Sequence, residues 1–161
     1  MVRKATKKDL PEILSIYESA RKYMKENGNP RQWGDELPLT ETTAEDIEND
    51  SLYVIERDGQ LCGVMEFHIG AEPYYEKLAE GQWHYERDYA TVHRIASNGR
   101  ARGIFREFLA FGRTICPYIR IDTHLDNVVM QRLIEAEGFA YCGIFYSQPD
   151  RGWIAYDKLY E

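Results

Sequence analysis

The chain has 161 residues, 43% of them hydrophobic and 29% charged, and carries a formal net charge of -7. These values predict one folded domain over residues 1–161, and they exclude a disordered chain or two domains of ordinary size. The acidic balance disfavours a nucleic acid as partner, because binding to the phosphate backbone needs a basic face. No apolar run approaches the roughly 20 residues of a membrane span, and the N-terminus has no apolar signal core. We therefore expect a cytoplasmic protein without a membrane partner.

The cysteine and histidine positions indicate neither a disulfide framework nor a metal site. Cys62, Cys116 and Cys142 are odd in number and far apart, with no C-x-x-C pair among them. Each is expected to pack as a small buried apolar residue. The histidines show no H-E-x-x-H or similar ligand spacing, so we predict no metal.

The first elements are a short strand and a long helix. The strand is predicted over 2–5, and the run from Thr6 to Asp9 resembles a capping box at the start of a helix. Apolar residues then recur at helical spacing from Leu10 to Met24. The Asn-Gly-Asn-Pro run at 27–30 ends the helix.

A loop and a short helix come next. Residues 29–41 contain Pro30, Pro38 and one aromatic residue, Trp33. A Trp in such a loop either anchors the loop to the core or lines a binding site. Thr43 resembles the cap of a helix that continues to about residue 49.

Two strands and an aromatic segment precede the middle of the chain. The strands, at 52–56 and 61–69, form a hairpin around the turn Asp58-Gly59. Residues 70–88 are rich in Tyr and mixed in charge. We expect a short helix from Tyr74 to Ala79 followed by a loop, and this segment is a candidate lid over the substrate.

The stretch 91–104 has the pattern of a strand, a glycine-containing turn and a helix N-terminus. The backbone N–H groups at the start of a helix have no partner within the helix, so such a turn binds anions well. Arg100 and Arg102 add positive charge. The turn therefore suits a pyrophosphate, although solvated arginines in an ordinary turn remain an alternative.

The last third alternates strand and helix and then ends in two strands. After a helix at 103–113 come a strand at 118–122 and a helix that Asp126 is expected to cap and Gly138 to end. Strands at 139–146 and 153–160 close the chain. This order predicts a mixed α/β fold with helices on both faces of the sheet.

The order of elements and two motifs resemble the Gcn5-related N-acetyltransferases (GNAT). The phosphate loop of that family follows the pattern Q/R-x-x-G-x-G/A, and this chain has Asn98, Ala101 and Gly103 at those positions. The first two depart from the pattern. A second motif, N-x-x-(A/M)-x-x-L-(Y)-x-x-x-G-F, is matched by Asn127, Met130, Leu133, Ile134, Gly138 and Phe139.

The resemblance implies an α/β (α+β) fold with a mixed, mostly antiparallel central sheet of about seven strands, flanked by helices. It also implies acetyl-CoA as the bound cofactor. The backbone of the strand at Ile95, Ala96 and Ser97 would hold the pantetheine arm. Residues of the loop and of the helix start would hold the pyrophosphate: Arg100, Ala101, Arg102, Gly103 and Ile104. Asn127 would contact the pantetheine arm or the sulfur, and helix capping is its equally weighted alternative.

Acetyl transfer to an amine needs a neutral amine. An alkyl ammonium with a pKa near ~10.4 costs about 4.6 kcal/mol to deprotonate at pH 7, so a base helps. His93 is the first candidate, because the arylalkylamine N-acetyltransferases, similar in this motif, carry a His there. Its alternative is a strand histidine satisfied by a neighbour. Glu66 and Glu86 are further candidate bases.

The proton donor to the leaving thiolate is not determined by the sequence. The family usually has a Tyr at the position of Ile134, and an isoleucine cannot give a proton. Tyr141, Tyr146 and Cys142 on the following strand are candidates. We list Tyr141 with His93 and Glu66 as the predicted catalytic residues.

The acceptor is expected to be a small molecule with a primary amine, or the N-terminus of an amino acid or peptide. Aromatic walls would come from Trp33, Tyr74, Trp83 and Tyr85. A catalytically silent acyl-CoA-binding module for sensing or interaction remains the alternative. A homodimer is compatible with the sequence, which does not decide the oligomeric state.

Overall fold

The computed structural model describes residues 1–161 and contains four helices and eight strands. The helices are α1 (Leu10–Glu26), α2 (Thr40–Glu48), α3 (Ile104–Ile115) and α4 (Val128–Ala136). The strands are β1 (Val2–Lys4), β2 (Leu52–Arg57), β3 (Gln60–Ile69), β4 (Glu80–Gly81), β5 (Ala90–Ser97), β6 (Tyr118–His124), β7 (Ala140–Gln148) and β8 (Arg151–Leu159). No helix is long and apolar enough to cross a bilayer.

The strands are hydrogen-bonded in the order β1-β2-β3-β5-β6-β8-β7-β4. Strands β5 and β6 pair in parallel, whereas the ladders β1–β2, β2–β3, β4–β7, β6–β8 and β7–β8 are antiparallel. This confirms the predicted mixed, mostly antiparallel sheet, which has eight strands where about seven were expected. The residues group into two compact units, and β5 contributes to both.

The first unit comprises Met1–Phe67 and His93–Phe111. Its core lies where the apolar face of α1 and residues of α2 meet buried side chains of β2 and β3. The largest members, Ile13, Tyr17 and Leu52, are fully buried. The predicted capping box of Thr6 and Asp9 is present and precedes α1 through one turn of 3-10 helix, which confirms that prediction.

Helix α3 packs on β3 at a glycine. A Cβ atom added to Gly63 would lie 2.6 Å from Cγ2 of Ile104 and 3.2 Å from the ring of Phe108. Both side chains are buried on the helix face that meets the strand. The absence of a side chain at this position therefore lets the start of α3 approach the sheet.

We expect Gly63→Ala to lower the free energy of unfolding by about 1–3 kcal/mol, as overpacking of a well-packed core does. Chemical denaturation measures the change. Ile104→Leu, which lacks the crowding γ-methyl, should recover part of the loss in the double variant. An unchanged stability of Gly63→Ala would contradict the close packing of α3 on β3.

The second unit comprises His68–Val92 and Gly112–Glu161. Its sheet is formed by the start of β5 with β6, β8, β7 and β4. A small core of Tyr75, Cys142, Phe145 and Ala155 lies under the segment that leads into β4. The hydroxyl of the fully buried Tyr75 donates to Asp122, which gives this polar atom a partner inside the core.

Three local predictions were wrong. Helix α2 starts at Thr40 with Leu39 as its cap, and Thr43 lies inside the helix, where its hydroxyl donates to the Leu39 carbonyl. The helix expected from residue 74 to 79 is absent, because this segment forms one 3-10 turn and then pairs with β7. Asn127, not Asp126, caps α4.

All three cysteines are free and buried, which confirms their prediction as packed residues outside any disulfide. The Asp58-Gly59 turn joins β2 and β3 as predicted, with both residues at positive φ. Gly138 follows the last residues of α4 at a φ of 85°, which is the left-handed conformation of a helix C-terminus.

Candidate active site

The turn between β5 and α3, residues 98–103, is built around the side chain of Asn98. Its amide nitrogen donates to the Leu61 carbonyl at 2.9 Å, and its oxygen accepts from the Arg100 backbone N–H at 3.1 Å. The amide nitrogen of Asn98 thus holds the turn onto β3, and the amide oxygen fixes the conformation of the turn itself. The departure of this residue from the family pattern therefore has a structural reason in this chain.

Gly103 leads into α3 in a conformation that favours glycine, with a φ of 73°. No atom lies within 4 Å of the position that a Cβ would occupy there. Since the Glu107 N–H bonds to the Gly103 carbonyl at 2.9 Å, the N–H groups earlier in the helix lie at its open end. Open space beside a helix N-terminus is what a bound anion requires.

Arg100 supplies the charge next to this turn. Its guanidinium donates to the Gln60 side chain. A cavity of about 440 Å³ beside it is lined by residues of α1 and of the turn: Glu12, Ser15, Ile16, Ser19, Gln60, Asn98 and Arg100. The Glu12 carboxylate in this lining accepts from the Leu61 N–H at 2.6 Å. The cavity is therefore polar with both signs of charge, and the helix start is the better anion site.

Strand β5 departs from extended backbone conformation at one residue before the turn. Its ladder with β6 covers Ala90–Val92 and Ile119–Ile121 and ends there. Two residues later, Arg94 has a φ of 46°, which is uncommon for a residue with a side chain and is typical of functional sites. The sequence reading as a plain strand missed this feature, because nothing in the local pattern indicates it.

The conformation of Arg94 is held by a buried charged cluster of the first unit. Its guanidinium donates twice to Asp46, at 2.9 and 3.0 Å, and lies 3.9 Å from a carboxylate oxygen of Glu66. Its carbonyl accepts from the Tyr17 hydroxyl at 2.9 Å. Burial raises the pKa of Tyr17, so this hydroxyl stays protonated and able to donate. Burial also raises the pKa of Asp46, and the Arg94 charge opposes that shift.

Two of the three predicted bases, His93 and Glu66, lie on neighbouring strands of the first unit. His93 is half-buried and directly precedes Arg94 on β5. Glu66 on β3 is buried and takes part in the charged cluster. A carboxylate with a structural partner is a weaker base candidate than an imidazole, which needs little tuning at neutral pH. Both roles stay predictions.

In the second unit, Asn127 is buried and its side-chain oxygen accepts from the Met130 N–H at 3.0 Å. This is the helix cap that was weighed as an alternative to cofactor binding. Ile134 is fully buried, and Tyr141 is 54% exposed beside Tyr156. A hydroxyl at Tyr141 is thus accessible, and its role as an acid stays a prediction.

The four aromatic residues predicted to line the acceptor site differ in packing and exposure. Trp33 in the first unit packs edge-on against Tyr17, with ring centroids 5.5 Å apart, which supports the anchor interpretation of its loop. In the second unit, the Trp83 indole donates to the Tyr75 carbonyl at 2.7 Å. Tyr74 and Tyr85 remain 54% and 44% exposed, so these two rings are the ones available to a ligand.

The comparison with known families identifies the family to which these elements belong. A model of the acetyltransferase (GNAT) family matches residues 12–139. The chain belongs to the GNAT family. The match includes the strand, turn and helix start described above together with the α4 motif, and it establishes acetyl transfer as the general activity of the family to which the chain belongs.

Solved structures agree with this family assignment. A GNAT acetyltransferase of Streptococcus agalactiae is 30% identical, with a TM-score of 0.90, over 100% of this chain and 95% of that one. A GNAT acetyltransferase of Listeria monocytogenes shares 22% identity over 99% and 94% of the chains, with a TM-score of 0.72. The yncA protein of Salmonella typhimurium, solved with its cofactor acetyl-CoA, shares 15% identity over 100% and 94%, with a TM-score of 0.65. The last two show the fold alone. No curated protein matches the chain.

Proposed function

We propose that this GNAT protein transfers an acetyl group from acetyl-CoA to a primary amine of a small molecule, an amino acid or a peptide. The observation that carries the proposal is the helix start at Gly103, which combines a left-handed glycine with free space beside the N-terminus of α3. A pyrophosphate fits this combination. The acetyl-CoA in the Salmonella typhimurium structure supports the choice of ligand.

The residues of β5 have the geometry to serve the rest of the cofactor. The ladder with β6 ends at Val92, and an amide-rich chain would pair with the strand beyond that point as another strand would. Ile95, Ala96 and Ser97 would bind the pantetheine arm in this way. The turn residues Arg100 to Ile104 would bind the pyrophosphate, although the Arg100 N–H is already used by Asn98.

The chemistry would be divided between His93 and Ile95, which flank Arg94 on β5. Acetyl-CoA supplies an activated thioester carbonyl. The imidazole of His93 would accept the proton of the attacking amine, and a backbone N–H near Ile95 would donate to the thioester oxygen as negative charge develops. The fixed conformation of Arg94, held by Asp46 and Tyr17, keeps these two neighbours in a constant relative position.

Release of free CoA from acetyl-CoA across a panel of primary amines tests the activity, and calorimetry tests the binding. Turnover on at least one amine supports an acetyltransferase. Tight binding without turnover would support the silent acyl-CoA-binding module, which the buried Ile134 in place of a proton donor favours. Absence of acetyl-CoA binding would contradict both functions.

We expect His93→Ala to lower kcat/KM by about 100- to 10,000-fold, the usual contribution of a general base. Acetyl-CoA affinity should stay unchanged. The loss should shrink as the pH rises toward the pKa of the amine, because more free amine is then present. His68→Ala removes another half-buried strand histidine and serves as the matched control. A loss that is the same at every pH would contradict the role of His93 as base.

A further inference from the structure

Three side chains of the second unit bring different metal-binding atoms together. The Nδ1 atom of His84 lies 2.7 Å from Oδ1 of Asp157 and 3.4 Å from Sγ of Cys142. All three atoms lie within 4.8 Å of one another. The residues are 58 and 73 positions apart in sequence, so the spacing of ligands along the chain could not indicate this cluster.

The arrangement converges on one point and does not form a relay. In a relay of nucleophile, base and carboxylate, the thiol and the carboxylate contact opposite nitrogens of the imidazole. Here both approach the same nitrogen, Nδ1 of His84. A thiol and a carboxylate that share one imidazole nitrogen are placed as ligands of a common ion, and a divalent cation would turn the thiol into a thiolate.

The backbone is specialised to bring His84 over β7. Strand β4 approaches β7 so closely that a Cβ on Gly81 would lie 1.9 Å from the Cys142 carbonyl oxygen, and one on Gly143 would lie 1.8 Å from the Glu80 carbonyl oxygen. The strands can come this close because both positions are glycines, which have no side chain. The Gln82 N–H then bonds to the Cys142 carbonyl at 3.0 Å, which places His84 two residues further on.

A bulge orients the thiol. The register of β7 against β8 shifts between Tyr141 and Gly143, so Cys142 is the extra residue of a β-bulge. Bulges re-aim side chains and are frequent beside functional sites. Ala140, two residues before Cys142, pairs directly with Asp157, and the Cys142 sulfur lies within 4.8 Å of the Asp157 carboxylate oxygen. The thiol and the carboxylate thus come from adjacent strands at a fixed distance.

The carboxylate is oriented by hydrogen bonds to its other oxygen. Oδ2 of Asp157 accepts from the His84 backbone N–H at 2.8 Å and from the Tyr118 hydroxyl at 2.8 Å. Arg120, which lies over the rings of Trp83 and Tyr89, donates to the same hydroxyl at 3.2 Å. These bonds leave Oδ1 directed at the imidazole, as the outer partners of metal ligands commonly do.

We propose that His84, Cys142 and Asp157 bind one zinc ion, with water as the fourth ligand. Tetrahedral zinc with these ligands keeps their atoms about 3.5 Å apart, so the imidazole needs to move from Asp157 by less than about 1 Å. The His84 side chain is 46% exposed and can make that adjustment, whereas Asp157 is 2% exposed. Thiolate and imidazole favour zinc over the oxygen-seeking calcium and magnesium.

Zinc binding at this site would conserve protons and neutralise the charge of the ion. The thiol loses one proton to solvent, and the resulting thiolate and the Asp157 carboxylate together neutralise the two charges of the ion. The site joins the segment after β4 to β7 and β8, so the bound ion would hold residues 82–85 against the sheet. This binding is independent of acetyl transfer, and its failure would leave the proposed function untouched.

The test uses the tag-free full chain, stripped of metal by a chelator and titrated with Co²⁺ as a spectroscopic substitute for zinc. We expect one equivalent to bind and to produce both the visible bands of a tetrahedral cobalt site and a sulfur-to-cobalt charge-transfer band. Zinc should displace the cobalt stoichiometrically and should raise the melting temperature.

Variants identify the ligands. His84→Ala changes an exposed side chain and should weaken metal binding more than about 100-fold, since even outer-shell changes cost 10- to 100-fold. Cys142→Ser should abolish the charge-transfer band, and Cys62→Ser, a buried cysteine outside the cluster, should retain it. Absence of a saturable cobalt spectrum in the unaltered chain, or a charge-transfer band that persists in Cys142→Ser, would overturn the proposal.

Discussion

Gly103→Val should weaken acetyl-CoA binding by on the order of 100-fold. Hydrogen bonds to charged groups contribute about 1.5–3 kcal/mol each, and each 1.4 kcal/mol is a tenfold change in affinity. Loss of one or two N–H bonds to the pyrophosphate therefore gives this magnitude. The valine side chain would enter the space that is now open beside the start of α3, and its branched Cβ disfavours the φ of 73° that the turn requires.

The strain of the substitution must be separated from the loss of a ligand contact. Gly28, after the end of α1, has a φ of 82° and also has no atom within 4 Å of a Cβ position. Gly28→Val therefore carries a similar backbone strain of about 1–3 kcal/mol away from the turn. We expect comparable losses of stability in denaturation for both variants, and a loss of affinity in calorimetry for Gly103→Val alone.

Two outcomes would contradict the assignment of this turn. An unchanged acetyl-CoA affinity in Gly103→Val would show that the cofactor does not approach the helix start. An equal loss of affinity in Gly28→Val would show that the effect comes from general destabilisation. In either case the pyrophosphate site would have to be sought elsewhere in the chain.

Arg94→Met should destabilise the protein by about 3 kcal/mol or more, the cost of leaving buried charges without their partner. Asp46 and Glu66, whose side chains are 10% and 4% exposed, would then face each other without the guanidinium. For a chain of this size, a loss of about 3 kcal/mol lowers the melting temperature by about 6–12 °C. Thermal denaturation followed by circular dichroism measures it.

Matched variants separate charge from packing. If the unpaired carboxylates cause the loss, adding Asp46→Asn and Glu66→Gln to Arg94→Met should recover much of it. Arg57→Met breaks the more exposed ion pair with Glu107 and should cost no more than about 1 kcal/mol. A cost for Arg94→Met as small as that of Arg57→Met would contradict the structural importance of the buried cluster.

The sequence predicted the elements whose signals lie within a few consecutive residues. The capping box of Thr6 and Asp9, the Asp58-Gly59 turn and the terminal glycine of α4 all have a cause in local backbone conformation, and the structure confirms each. The turn at 98–103 was predicted for the same reason. Its role as a cofactor loop, which stays a prediction, required the family pattern, because glycine-rich turns before helices are common.

Local signals failed where a neighbouring segment competed. Thr43 has the chemistry of a helix cap, yet α2 begins three residues earlier and uses its hydroxyl inside the helix. The segment expected to be helical at 74–79 instead leads into a strand that pairs with β7. Hydrogen bonds to a distant strand outweigh helix propensity in a short segment, since an isolated helix of that length is marginal.

By itself, the sequence determined the mixed α/β class and the order of strand, turn and helix at 91–104, whose role as a phosphate site stays a prediction. Only the tertiary structure decided the conformation of Arg94, its cluster with Asp46 and Glu66, and the convergence of His84, Cys142 and Asp157. The physical reason is register. Which side chains meet depends on how strands pair and where a bulge shifts the pairing, and those choices join residues far apart in the chain.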